Sequence, residues 1–293
     1  MKAAVWMALR VIALTLVLFG CFAVAGGVVG IEAATNTAEP AGQTALTLLT
    51  VCFLQASVLS YIIVRSRWRG WRLMAAIFVA FYGVTTFMSQ IESAVFITSL
   101  PPGVLPRLFL MGALIAAPFS VLAVLILGKR KAAPAEAGPN DRLIMPGREW
   151  AMKLAIIAVV YVILYFTFGY FVAWKNPAVP EYYGQIDEGT FGAHMAVVLR
   201  TTPWLVPFQI LRALLWVAIA VPVIRMMKGQ WQETALAVAL LFSVVMNAQL
   251  LLPNPYMPEP VRMAHLVETA SSNFIFGAFL AWLLVSRPRV ATQ

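Results

Sequence analysis

Eight apolar stretches of about twenty residues each constrain this chain more than any other feature, at residues 10–30, 44–64, 73–97, 107–128, 152–174, 204–224, 232–252 and 262–285. At 1.5 Å per residue, each is long enough for a helix to cross the ~30 Å hydrocarbon core of a bilayer. A backbone in hydrocarbon satisfies all its N–H and C=O groups only as a helix or a closed barrel, and uninterrupted runs of this length favour the helix. The chain therefore reads as an all-α integral membrane protein with eight transmembrane helices. Its composition agrees, being 61% hydrophobic and only 11% charged, against about 25% charged residues in soluble domains. The first run also carries signs of a cleavable leader, because Lys2 and Arg10 lead into it and Ala23-Val24-Ala25 fits a small-residue cleavage site. The internal comparison below favours keeping it as a span.

Basic residues set the expected orientation. With the N-terminus inside, the inner segments hold Lys2 and Arg10; Arg65, Arg67, Arg69 and Arg72; Lys129 to Lys131 with Arg142, Arg148 and Lys153; Arg225 and Lys228; and Arg287 and Arg289. That is 16 of the 21 Lys and Arg, so the positive-inside rule places both N- and C-termini on the cytoplasmic side of a plasma (inner) membrane. The first outer loop carries only Glu32 and Glu39. The net charge of +9 is spread over short clusters between spans rather than one soluble face, which argues against a nucleic-acid partner. Membrane lipids are the expected surroundings, and self-association into a homo-oligomer is left open. Cys21 and Cys52 fall inside apolar runs, where a thiol packs as a small hydrophobe.

A Pro-, Ala- and Gly-rich charged stretch at 129–149 divides the chain into a first membrane half, 1–128, and a second, 150–293. The halves echo each other: Gly26 with Gly169, Arg65…Gly70-Trp71 with Arg225…Gly229-Gln230-Trp231, and Pro102…Pro106-Arg107 with Pro255…Pro260-Val261-Arg262. Two parallel four-helix repeats would explain all three. The long outer segment, 174–203, opens with Asn-Pro and Val-Pro turns, and Phe191, Met195, Val198 and Leu199 then recur at helical spacing. This predicts a short interfacial helix packed on the outer ends of the spans, in the position of a lid.

Polar groups inside spans are the informative residues, since a central charge costs about 2.5–3.5 kcal/mol on insertion scales. Glu92 lies in the third span and Arg212 in the sixth, one turn beyond Gln209. Asn247 and Gln249 lie near the outer end of the seventh. The eighth is richest: Arg262, His265, Glu268, Thr269, Ser272 and Asn273 share an arc of about 140°. At 1.5 Å per residue, Glu92, Arg212, Asn247 and Glu268 share a layer roughly 8–14 Å below the outer surface. The expectation is an outward-facing pocket of Glu92, Arg212, Asn247, Gln249, His265, Glu268, Ser272 and Asn273, with Arg212 paired to Glu268 or Glu92. It would bind a small or lipid-linked molecule, in transport or lipid handling. Pro118, Pro207 and Pro222 offer kinks that would suit a transporter.

Two other readings stand beside it. The same residues can serve an intramembrane hydrolase or transferase, with His265 or Glu268 as general base and Arg212 as electrostatic stabiliser. They can also be interhelical glue in an accessory subunit, at about 0.6 kcal/mol per hydrogen bond. Arg107 and Arg262 read as interfacial anchors, His194 as solvated, and Trp68, Trp71, Trp174, Trp204 and Trp231 as belt residues. With two histidines and no HExxH, neither a metal nor any cofactor is indicated. Phosphate-loop, dinucleotide and nucleophile-elbow motifs are missing. Glu, His and Asn in late helices suggest the glutamate proteases of the CAAX type, but their paired EExxxR motif is absent, Glu92 being followed by Ser93.

Overall fold

A computed structural model describes residues 2–30, 41–97, 100–131, 142–184 and 189–285. Glu32, Glu39, residues 132–141 of the 129–149 stretch, Arg287 and Arg289 lie outside the described residues. Eight helices are long and apolar enough to cross a membrane: Ala4–Val29, Gly42–Val64, Gly70–Phe96, Val104–Ile126, Gly147–Lys175, Leu205–Met226, Trp231–Leu251 and Glu259–Val285, numbered here as spans 1 to 8. The protein is a multi-pass α-helical membrane protein. Spans 3, 5 and 8 begin about a turn before their apolar runs, because a polar first turn is still hydrated at the interface. At the start of span 5, for example, Glu149 pairs with Lys153 one turn on, at 2.8 Å.

The two sets of four spans pack in the same way. Span 1 lies against spans 2 and 4, and span 3 against span 4; span 5 lies against spans 6 and 8, and span 7 against span 8. The sets meet where span 2 packs on span 7 and span 3 on span 6. An aromatic stack fills the second set: Trp216 on Phe242 at 4.3 Å, and Tyr161 on Phe276 at 4.7 Å between ring centres. Lipid-facing surfaces are apolar, with Trp6, Leu16, Val159 and Ile163 exposed. Since lipid is as apolar as leucine, helices in a bilayer hold together by close packing, which small residues permit. A Cβ at Gly277 would stand 2.9 Å from the Ala239 Cα, so only glycine allows spans 7 and 8 to cross there.

Two helices are interrupted, and not at prolines. Spans 3 and 7 contain π-turns at Gly83–Phe87 and Leu241–Val245, whereas the helices around Pro118 and Pro222 continue. Pro207 sits in the first turn of its helix, where a missing N–H costs nothing. The interruptions are π-turns, which leave backbone carbonyls in need of donors. In span 7, Asn247 Nδ2 donates to the Phe242 and Ser243 carbonyls at 3.1 and 2.8 Å. Gln55 Nε2 reaches across from span 2 to the Val245 carbonyl at 2.9 Å.

At one end the loops are tied together by cations. Ser66 and Met227 form a two-residue antiparallel bridge, Arg67 N–H to the Met226 carbonyl and Lys228 N–H to the Arg65 carbonyl. Lys129 Nζ donates to the Ser66 carbonyl at 2.9 Å. Arg142 donates to the carbonyls of Ile224, Met227 and Gly229 and to Thr234 Oγ1. The 129–149 stretch is thus bolted at Arg142 to the turn between spans 6 and 7, and is not a free spacer there. Burial lowers the Arg142 guanidinium below its usual range, with Arg67 adding to the effect.

At the opposite end, Ala173 and Val179 form a small core with Val261 at the start of span 8. Asn176 Nδ2 donates to the Pro260 carbonyl at 3.2 Å and Tyr182 Oη to the Tyr256 carbonyl at 2.6 Å. The helix Phe191–Thr201 is capped by Thr190 Oγ1, which accepts from Ala193 N–H. None of its residues is fully buried. It touches the bundle through Phe191 and His194, against Tyr170, Phe171 and Trp174, because its short apolar stripe offers little area to bury.

Candidate functional site

The site begins with Arg212. Span 6 buries it to 3% side-chain exposure, a position that requires pairing. Its Nη2 donates to Glu92 Oε2 of span 3 at 3.0 Å, and its Nη1 to Gln209 Oε1 at 2.9 Å. The guanidinium lies near the faces of Tyr161 and Phe208, at 5.8 and 5.9 Å. Tyr161 is fixed by Trp216, whose Nε1–H donates to its hydroxyl at 3.2 Å. Glu92 keeps 31% side-chain exposure, so the pair is sealed on one side only. Two donors of this cluster, Arg212 Nε and Gln209 Nε2, are buried without an acceptor. Leaving such groups unpaired costs about 1–3 kcal/mol each.

A second cluster hangs from span 8. His265 Nδ1 is 2.7 Å from Glu268 Oε2, one turn along the helix, and His265 Nε2 is 3.1 Å from Tyr183 Oη in the segment above. Thr269 Oγ1 lies 2.6 Å from Asn247 Oδ1. Asn247 therefore serves twice, capping the π-turn of span 7 and holding the polar face of span 8. Burial pushes the Tyr183 phenol well above its usual range, with the carboxylates of Glu92 and Glu268 adding to it.

Span 5 runs between the clusters. Tyr161, Tyr165 and Gly169 recur every fourth residue, on one helix face. Tyr165 lies within electrostatic reach of Glu92, Arg212 and Glu268. A Cβ at Gly169 would stand 3.7 Å from Glu268 Oε1, an ordinary contact, so this face of span 5 lies against that carboxylate. The arrangement offers three kinds of chemistry: a buried cation with donors to spare, a half-exposed carboxylate beside it, and a Tyr–His–Glu hydrogen-bond chain leading to the surface.

Of the residues expected here, Glu92 and Arg212 meet directly, and Glu268 pairs with His265 instead of Arg212. Asn273 Nδ2 approaches Met246 Sδ of span 7 at 3.5 Å. Ser272 bonds back to the Thr269 carbonyl of its own helix. Gln249 lies half-buried in the 3-10 turn Ala248–Leu251 that ends span 7. Sequence reasoning missed Tyr161, Tyr165, Gly169, Tyr183 and Gln55. Two tyrosines one turn apart inside an apolar span were the available signal.

Trp174, at the end of span 5, stacks on Tyr183 at 5.8 Å, nearly parallel. Two readings need correction. His194 packs edge-on against Trp174 instead of standing in solvent. Arg262 is buried, and its Nη1 donates to the Leu251 and Leu252 carbonyls, tying the end of span 7 to the start of span 8. A separate cleft of about 400 Å³, lined by Gln43, Thr47, Thr50, Glu259 and Arg262, lies between spans 2 and 8 at this end. Comparison with models of known families, with curated proteins and with solved structures finds no match for the chain.

Proposed function

We propose that this is a plasma-membrane protein whose Arg212 cluster binds a small or lipid-linked molecule bearing acceptor oxygens, in transport or lipid handling. One observation carries the reading: Arg212 Nε and Gln209 Nε2 are buried donors without an acceptor, beside a half-exposed carboxylate. Interhelical glue alone would leave their cost uncompensated, whereas a ligand oxygen entering the cluster offsets it. The basic residues at the other end favour an inward orientation for that end, and hence an outward-facing site. The matched packing of the two sets of spans, their paired π-turns in spans 3 and 7 and the Ser66–Met227 bridge support a duplicated four-helix unit. Native mass spectrometry in mild detergent tests the reading. The parent protein should carry a defined species that Arg212→Lys and Gln209→Ala lose while remaining folded. A parent without bound species, together with variants that do not fold, would move the cluster to a structural role.

The Tyr183–His265–Glu268 chain favours a second reading, an intramembrane enzyme with His265 as general base oriented by Glu268. His265 is one of only two histidines, so ¹⁵N-histidine NMR on His194→Gln protein observes it alone. Neutral His265 should carry its proton on Nδ1, and Glu268→Gln should redistribute that proton between the two ring nitrogens. An unchanged tautomer would remove this reading.

A further inference from the structure

The Arg212 cluster joins spans 3 and 6, and the seam between them changes character at the π-turn. At its first residue the helices are in close contact, Gly83 seated so tightly on Ile219 that a Cβ would fall 2.9 Å from its side chain. Above it the continuing helix Met88–Phe96 is bridged to span 6 by side chains. First comes the Glu92–Arg212 pair at 3.0 Å. One turn nearer the membrane surface, Phe96 closes on Phe208 at 6.2 Å and on Trp204 at 6.5 Å, and Trp204 and Phe208 lie 6.0 Å apart. The spacing is matched on both helices, since Phe96 follows Glu92 by four residues and Phe208 precedes Arg212 by four. Aromatic rings therefore stand directly over the ion pair. Trp204 is 46% exposed and Leu211 on the same flank 53%, so the outer face of this clasp is apolar.

A seam that is aromatic toward the membrane surface and cationic one turn deeper matches an amphiphile. A soluble anion would have to leave water to cross the rings, whereas a lipid already has its tail in the apolar phase and brings only its head to Arg212. We propose that the seam between spans 3 and 6 is a lateral entrance for a lipid with an anionic oxygen head, a carboxylate or a phosphate. The head accepts from Arg212 Nε and Gln209 Nε2, and the tail parts Phe96 from Phe208 as it enters. This deepens the binding reading above and rests on it.

The test uses the full chain in phosphatidylcholine vesicles containing diazirine-bearing palmitic acid or, in a second arm, diazirine-bearing phosphatidic acid, with adducts mapped by mass spectrometry after photolysis. Adducts should concentrate on residues 92–96 and 204–212, and fall at least tenfold in Arg212→Gln. Unlabelled lipid of the same head should compete, and millimolar propionate or inorganic phosphate should not. The arm that labels names the head. A second variant keeps the test decisive if Arg212→Gln does not fold: Phe96→Cys/Phe208→Cys, on a Cys21→Ser/Cys52→Ser background, cross-linked by a short reversible thiol reagent. Cross-linking should abolish the adducts, and reduction should restore them. Adducts spread evenly over lipid-facing residues such as Val159 and Ile163, indifferent to both variants, would overturn the entrance. Protection by propionate or phosphate alone would overturn the lipid class while leaving ligand binding at Arg212 intact. If the native preparation also lacks a bound species, the binding reading falls with it.

Discussion

Lys129 and Arg142 at the basic end direct donors to backbone carbonyls at the end of span 6 and in the turns after spans 2 and 6, whereas Arg212 in the opposite half directs its donors to two side chains and leaves Nε without an acceptor. A carbonyl in a turn has one protonation state and moves only if the turn moves, so a cation bound to it has a single stable arrangement. A carboxylate can titrate, rotate or be exchanged for another acceptor, so its cation has several. Arg262, at the junction of spans 7 and 8, shows that the difference follows the acceptor and not the end of the molecule, because it too bonds to carbonyls, although its Nε, like that of Arg212, lacks an acceptor. A membrane protein that uses some buried cations to hold its loops and others to meet a ligand would divide them in this way.

Four substitutions break or sharpen that contrast. Arg142→Ala removes a donor from three carbonyls at once and should lower stability by about 3 kcal/mol, read as the largest fall in thermal midpoint of the detergent-purified protein. A silent Arg142→Ala would end the contrast. Asn247→Ala should cost about 2 kcal/mol, since it strips the π-turn of its cap and Thr269 of its partner. The double change Arg212→Met/Glu92→Leu replaces a poorly satisfied ion pair by apolar side chains, and should fold within about 1 kcal/mol of the parent or above it. A double variant several kcal/mol less stable would class Arg212 with Arg142. The smallest effect concerns pH. Because the Tyr183 phenol titrates higher in the fold than in the unfolded chain, its contribution is intact below about pH 10 and is lost as pH rises further. Tyr183→Phe should therefore make alkaline unfolding shallower, as followed by circular dichroism against pH.

The spans were legible because hydrocarbon leaves the backbone so few options, and run length alone locates them. Their expensive residues were legible for the same reason. Which of them would meet was not, because pairing depends on how each helix is rotated about its axis. Arg212 could be matched to either carboxylate from depth alone, and only the packing of span 6 on span 3 selects Glu92. The tyrosines of span 5 were missed for a different cause. An aromatic with a polar tip suits both the bilayer interface and a buried cluster, and the sequence pattern around it is the same in each. Prolines drew attention as helix breakers, yet the breaks fall in spans 3 and 7, where no proline occurs and no residue type announces a π-turn.

The π-turns carry a consequence for how such a protein could change over generations. Each holds one residue more than an α-helical turn would, and every residue beyond it is rotated by about 100° relative to the helix before it. Deleting a single residue from Gly83–Phe87 would restore an ordinary helix of nearly the same length and hydropathy, still able to insert. Glu92 would then point away from Arg212, and Phe96 away from Phe208. The site is thus written partly in residue count, and a deletion that substitutes nothing at Glu92 or Arg212 would erase it as surely as changing either one.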